Sequence, residues 1–370
     1  MAPRHEINRE ETSPRSCPAG DRRYTPSMKL GLNIGLYGSA ISDNFTLIDR
    51  AEQLGYDSVW TAEAYGSDAV TPLAWIAAQT QSIHVGSAVF QIPARTPAMT
   101  AMTAATLDQM SGGRFLLGLG VSGPQVVEGW HGKPFGKPLQ VSREYVEIVR
   151  RILAREEPVE FDGTYYQLPY VGPGATGLGK PLKIMMRPRP TIPIYLAAIG
   201  PRNVQLTAEI ADGWLPIFFS PERASETYGP LLAEGFARSG DPTKADRFDI
   251  APSVAALVTD DIEAGRLQMK PGIALYVGGM GAKGRNFYND LARRYGFEEE
   301  AETIQDLYLA GKKMEATMAV PDELVDEVCL VGPKDVLKDR IDVWKDAGIG
   351  TLIVQTSDPS TLEVIADIAR

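Results

Sequence analysis

The chain has 370 residues, of which 44 % are hydrophobic and 23 % charged, and a formal net charge of −10. These values fit a soluble globular enzyme; no apolar run approaches the roughly 20 residues of a membrane helix, and the acidity argues against nucleic acid, whose phosphates need clustered Lys and Arg. Two cysteines, Cys17 and Cys329, and three histidines, at 5, 84 and 131, form neither a disulfide framework nor a metal-ligand cluster, and they suit a reducing cytosol.

Residues 1–27 are rich in Pro, Arg, Glu and Ser and lack the apolar core of a secretory signal. They read as a disordered extension, with Met28 as an alternative start. Lys29–Ile34 then reads as a first strand, Phe45–Leu54 as a helix with Asp43 or Asn44 as its cap, and Asp57–Thr61 as a second strand. Thr71–Ala78 is a short helix opened by Pro72.

The stretch Ile83–Gly123 is the most informative. Val85–Phe90 is short, apolar and β-branched enough to be a buried parallel strand. Pro97–Met110 suits a helix with proline in its first turn and small Ala and Thr residues toward a neighbour. Ser111-Gly112-Gly113 stops it, because glycine enters left-handed backbone without steric cost. Phe115–Leu119 is again a strand, followed by Gly120 and Gly123 at its carboxyl end, where parallel strands place binding loops.

Beyond Gly123 the prolines and glycines of PQVVEGWHGKPFGKP forbid a continuous helix. Val141–Ala154 regains helical periodicity, with Tyr145, Ile148, Val149 and Ile152 on one face. Glu160–Leu168 reads as a hairpin about Asp162-Gly163, and Pro169–Pro193 as a long loop. Then come strand Ile194–Ala198, helix Arg202–Ile210, strand Gly213–Ile217, helix Pro221–Ser239 and strand Asp249–Val258. Residues 261–320 are a mostly helical insertion broken by glycines, before helix Lys334–Asp346, strand Thr351–Gln355 and a last helix to Arg370. Strands alternating with helices about eight times predict one parallel α/β barrel, a (β/α)8 TIM barrel over 28–370, with insertions near 160–193 and 261–320.

Several patterns invite a chemical reading, each with a bland alternative. Gly118-Leu119-Gly120-Val121-Ser122-Gly123 matches GxGxxG, yet Pro124 and a loop-like stretch follow where a dinucleotide fold needs a helix opening within the glycines. A tight turn, or a backbone wall for a ligand, remains. In Ala198-Ile199-Gly200-Pro201-Arg202, a strand ends, glycine permits a close turn and proline opens a helix whose free amides and positive dipole end favour an anion; a plain connection is the other reading. Glu63 ends the second strand at the rim where barrels place their sites, and an acid there could hold or deliver a proton; a surface salt bridge is the alternative. Gly278-Gly279-Met280-Gly281-Ala282-Lys283-Gly284 lacks the Ser or Thr of a P-loop and reads as a flexible lid or a linker between helices. His131 is a substrate-contact candidate or a solvated loop residue.

Four blocks together carry a resemblance to the luciferase-like monooxygenase superfamily, and within it to the branch that uses coenzyme F420: LGYDSVWTAEAYGSDAVTPLAW, LDQMSGGRFLLGLGVSGP, IPIYLAAIGPRNVQLTAEIADGWLP and ALYVGGMGAKGRNFYNDLARRYG. They follow in family order over Met28 to Arg370. The resemblance implies a bacterial-luciferase-like barrel that binds F420 in its mouth and exchanges hydride between the deazaflavin C5 and a small organic substrate. It implies a non-proline cis bond between Ala88 and Val89 behind the ring, a backbone wall at Gly120, Val121 and Ser122, the cofactor tail near Ala198 to Arg202, and a lid with Met280 and Phe287 near ligand. It also implies a homodimer paired through the first helices. Relatives carry an acid and then a histidine at the end of the second strand; here Ala64 stands in the histidine's place, so Glu63 or Tyr65 inherits the proton role if anything there does. An FMN-dependent monooxygenase and a non-catalytic, cofactor-free barrel protein are the competing expectations.

Overall fold

Eight short strands, each buried between an inner and an outer layer, follow from the apolar runs above. The structure, a computed structural model, describes residues 28–35 and 41–370, without the side chains of 41–43; the expectations for residues 1–27 lie outside the described residues. The strands are β1 (Lys29–Asn33), β2 (Ser58–Thr61), β3 (His84–Ser87), β4 (Phe115–Gly120), β5 (Ile194–Leu196), β6 (Gly213–Trp214), β7 (Ser253–Val258) and β8 (Thr351–Gln355). Consecutive strands pair in parallel from β1 to β6, β7 pairs β8, and β8 pairs β1.

The ring closes through one segment bonded on both edges. Asp249–Ile250 pairs with Gly213–Trp214, and the amides of Ala251 and Ser253 donate to Trp214 O and Pro216 O. On the other edge, Gly350 N and Ile353 N donate to Ile250 O and Pro252 O. Pro252 has no N–H to give, which is why the single predicted strand Asp249–Val258 is interrupted there. The closed ring is therefore a (β/α)8 barrel.

Outward side chains such as Leu32, Val59, Val85, Leu117 and Val354 pack beneath the surrounding helices and are fully buried. Inward side chains form a smaller plug of Trp60, Tyr195, Leu215, Ala251 and Ile353. Glycine is required beside that plug: a Cβ on Gly86 would lie 2.4 Å from the Trp60 ring, and one on Gly31 would lie 3.0 Å from its Nε1. The indole thus fills the barrel centre, edge-on to Tyr195 at 5.4 Å between centroids.

Helices Pro97–Met110, Pro138–Ala154, Pro201–Ile210 and Pro359–Ala369 all open on proline, where the missing amide costs no helical bond. Some boundaries depart from expectation. The first helix is Ile41–Gln53, so Asp43 and Asn44 lie inside it instead of capping it. The stretch after Gly123 does form a helix, Pro124–Gly129, because Gly123 O accepts the amides of Val126 and Val127 before the next glycine stops it. Pro230 splits Pro221–Ser239 into Ala224–Thr227 and Gly229–Ser239. Cys329–Gly332 is an additional strand beside Ala255–Val258. The hairpin forms as Phe161–Asp162 against Gln167–Leu168, and no helix lies within 169–193. The second insertion holds helices Phe287–Arg294, Glu298–Leu309 and Lys313–Met318. Among the described residues no helix is long and apolar enough to cross a membrane, and no cluster of metal-ligating side chains occurs.

Candidate functional site

The carboxyl ends of the strands surround a mouth above the Trp60 plug. Alternation along each strand selects most of what faces it: Asn33 from β1, Ala62 after β2, Ala88 after β3, Gly120 from β4, Ala197 after β5 and Ser253 at the start of β7, while the Ala88–Val89 bond breaks the alternation and brings Val89 inward as well. Most are small. The bond between Ala88 and Val89 is cis, as the resemblance implies. A Cβ on Gly120 would lie 2.5 Å from Val89 Cγ2 and 3.8 Å from Ala197 Cβ, so these three residues form one continuous inner wall. Gly118 serves packing: its Cβ would fall 1.8 Å from Ser87 O, whose own hydroxyl donates to Gly118 O at 2.8 Å. Val121 is half-buried against the core, and Ser122 turns the chain out with φ of 60°.

On the β5–β6 side, Ala198 O accepts the Trp214 indole N–H at 2.9 Å, and Gly200 caps helix Pro201–Ile210. Pro201 and Arg202 are exposed at its first turn, so the amide-rich end faces solvent at the rim. The second insertion covers this side. Arg294 donates to Ile199 O at 3.2 Å, and the Phe287 ring lies 3.9 Å from where a Gly200 Cβ would stand. Phe218, at φ 54°, packs on Tyr276 and Tyr288, while Tyr295 donates its hydroxyl proton to Phe218 O at 2.9 Å. Phe287, an expected lid residue, therefore stands beside the expected anion loop.

The glycine run differs from a flexible lid. Leu275–Gly279 is a π-helical turn, and Met280, half-buried, ends it. Cβ atoms on Gly278 and Gly279 would lie 2.5 and 2.4 Å from the Tyr308 side chain, so these glycines permit close packing. Asn286 then holds the turn, donating to Tyr276 O and Val277 O at 2.9 Å each. Lys283 pairs with Asp306 at 2.6 Å.

On the β2–β4 side the geometry around Glu63 differs from that of a free acid. Its carboxylate, with the side chain 5 % exposed, accepts both terminal nitrogens of Arg95, the amide of Ala69 at 3.1 Å and the amide of Gln91 at 2.9 Å. Four donors commit both oxygens, and Arg95 also lies over the Phe90 ring at 4.7 Å. Tyr65 is 61 % exposed on the adjoining loop. His131 is half-buried, its Nε2 at 3.4 Å from Gln91 Oε1.

Asn33, Gln91, Arg95 and Ser253 escaped the sequence reading. Asn33 donates to the Ser253 hydroxyl at 3.0 Å, and among the described residues its buried Oδ1 has no partner. Both are polar residues at inward positions of otherwise apolar strands, a signal available from alternation. Arg95 carries none, since its partner lies 32 residues away.

The fold is a parallel barrel with a candidate site at its strand-end loops, and the family follows from comparison with known proteins. A sequence profile of luciferase-like monooxygenases matches residues 27–351, and the chain belongs to that family. It is 48 % identical over 344 residues, covering 92 % of this chain and 98 % of the relative, to a Mycobacterium tuberculosis protein provisionally named a coenzyme F420-dependent oxidoreductase. It is 29 % identical over 312 residues, 83 % of this chain and 87 % of the relative, to 5,10-methylenetetrahydromethanopterin reductase of Archaeoglobus fulgidus. The solved structure of the coenzyme F420-dependent tetrahydromethanopterin reductase of Methanopyrus kandleri superposes with a TM-score of 0.75 at 24 % identity, covering 92 % of this chain and 97 % of that one.

Proposed function

We propose that this protein is an F420-dependent oxidoreductase that transfers hydride between the deazaflavin and a small organic substrate. The observation that carries the reading is the asymmetry of the mouth: an inner wall of Val89, Gly120 and Ala197 that admits a flat ring, beside a proline-opened helix end with Arg202 that suits an anionic tail. The residues fit such a group. Ala88, Val89, Gly120, Val121 and Ser122 would back the ring, with the unpartnered Asn33 Oδ1 toward it, and Ala198 to Arg202 would hold the tail. When bound, the cofactor supplies the hydride; the chain orients two reactants, excludes water and handles the proton. Phe287 and the insertion cover the tail side, and Met280 sits at the end of the π turn behind them. The 48 % identical relative supports the choice of cofactor.

Titrating the purified protein with F420 and, separately, with FMN tests this. Saturable quenching of F420 fluorescence at micromolar concentration, with FMN binding far weaker, is the expected result. Tighter binding of FMN would favour a flavin monooxygenase, and binding of neither would favour a non-catalytic barrel.

We further propose a homodimer. Helix Pro97–Met110 exposes Met99, Met102 and Met110, and Trp75 is partly exposed on the neighbouring helix Val70–Gln79. Such an apolar face on adjoining helices suits isologous pairing.

A further inference from the structure

We propose that His131, oriented by Gln91, exchanges the proton with the substrate, and that it does so through Nδ1. The proposal rests on the oxidoreductase reading above.

Gln91 is 4 % exposed and lies in register with Gly120, so its side chain shares the inward direction of that residue, while Phe90 points outward into the core. Its amide orientation is fixed by bonding: Gln91 Nε2 donates to Ala64 O at 2.8 Å, which leaves Oε1 toward His131. An amide oxygen can only accept, so the ring nitrogen 3.4 Å away, Nε2, carries a proton. In the neutral ring Nδ1 is then the lone-pair atom, and in the charged ring it is a second donor. Among the described residues Nδ1 has no partner.

The surroundings hold this ring in place. The backbone amides of His131 and Lys133 donate to Val126 O and Val127 O, both at 3.1 Å, and Lys133 Nζ donates to Pro93 O at 2.7 Å. Gln91 N is itself held by Glu63, which Arg95 clamps. The chain Arg95, Glu63, Gln91, His131 thus runs from a fully committed ion pair to one uncommitted ring nitrogen beside the mouth. It reaches the end of the second strand, at Ala64 O, where that strand supplies no histidine of its own. His84, by contrast, bonds Asp57 O at 3.0 Å at the opposite end of the barrel.

The chemistry balances as follows. When the carbon of a polarised C=O or C=N bond gains a hydride from reduced F420, its π pair moves to the heteroatom, which takes the proton from Nδ1–H. The imidazolium becomes neutral imidazole and regains a proton from water at its exposed edge. In the reverse direction neutral Nδ1 accepts the O–H or N–H proton as hydride leaves for oxidised F420. Gln91 is a positioning residue, fixing the tautomer in the way an outer partner fixes a ligating histidine.

With only three histidines in the chain, carbon-13 NMR of labelled ring carbons reads the tautomer directly, and His131→Gln assigns the signal. The expected result in the cofactor-free protein is a single Nε2–H tautomer at His131, giving way to a mixture in Gln91→Leu. Adding F420 should move the His131 signal and leave His84 in place. With reduced F420 and cyclohexanone as the probe acceptor, His131→Gln should turn over about 10²-fold more slowly, at unchanged F420 affinity. An Nδ1–H tautomer in the wild type, or a His131 signal indifferent to bound F420, overturns the relay. Equal rates in wild type and His131→Gln, including none in either, overturn the proton role. Failure of the wild type to bind F420 at all overturns the oxidoreductase reading instead, and the tautomer result distinguishes the two.

Discussion

Glu63 shows how a side chain of the expected type at the expected place can do a different job. Proton carriers need an oxygen free to change partner, but here Arg95 and two backbone amides occupy both oxygens, and those amides belong to the loop ending at Ala69 and to the segment after the cis bond. The carboxylate ties together the two loops that frame one side of the mouth. Glu63→Gln should therefore act on stability: whichever way the new amide turns, its NH2 faces an Arg95 nitrogen and a backbone N–H, donor against donor, and the arginine loses its counter-charge. Removing one partner of a buried pair costs about 3–5 kcal/mol, readable as a fall in the urea midpoint at unchanged slope. Unaltered stability together with a large loss of turnover would return the proton role to this residue.

The hairpin Phe161–Leu168 makes the corresponding case for a whole element. Its two strands are short and its turn is stitched to helix Pro138–Ala154 by one carboxylate: Glu144 accepts the amides of Thr164, Tyr165 and Tyr166 at 2.9, 2.8 and 3.1 Å. Burial pushes this carboxyl up, but the bonds from Gln140 and the three amides outweigh it and hold the group below its ordinary value of 4.5. A carboxyl depressed in the folded state stabilises fully above its unfolded value and loses that contribution as pH falls through its folded value. Thermal unfolding of Glu144→Gln should thus lie below the wild type at pH 7, with the gap closing as the pH drops below about 4.5; a gap that is constant with pH would refute the assignment. Gly163→Ala probes the same joint sterically, since its Cβ would stand 2.5 Å from Glu144 Oε2. It should lower the melting temperature as Glu144→Gln does, without the pH dependence of that effect.

For the molecule as a whole, the proposed pairing through helix Pro97–Met110 predicts a dimer by light scattering at micromolar concentration, and Met102→Lys, which sets a charge on the exposed face of that helix, should shift the mass toward the monomer. A wild-type monomer across that range would end the proposal. The mouth is made on the barrel's side of those helices, from inward residues of the strands. F420 affinity should accordingly be nearly the same in Met102→Lys as in the wild type if each mouth is complete within one chain.

Much of this architecture was legible before any coordinates, because strands and helices are set by periodicity and by local punctuation. Helix Pro97–Met110, helix Lys334–Asp346 and strand Thr351–Gln355 stand where proline, glycine and apolar spacing put them. The family resemblance, and no periodicity, put the cis bond between Ala88 and Val89. The strand Cys329–Gly332 was illegible, since four apolar residues after a helix have no period of their own. The role of Glu63 depended on Arg95, and the tautomer of His131 on Gln91, partners 32 and 40 residues distant that only the pairing of neighbouring strands brings within hydrogen-bonding reach. Gly278 and Gly279 look like flexibility in one dimension, and packing against Tyr308 turns them into close contact. Local chemistry fixes which elements form; which oxygen, nitrogen or Cβ position is already taken is decided by neighbours that are remote in sequence.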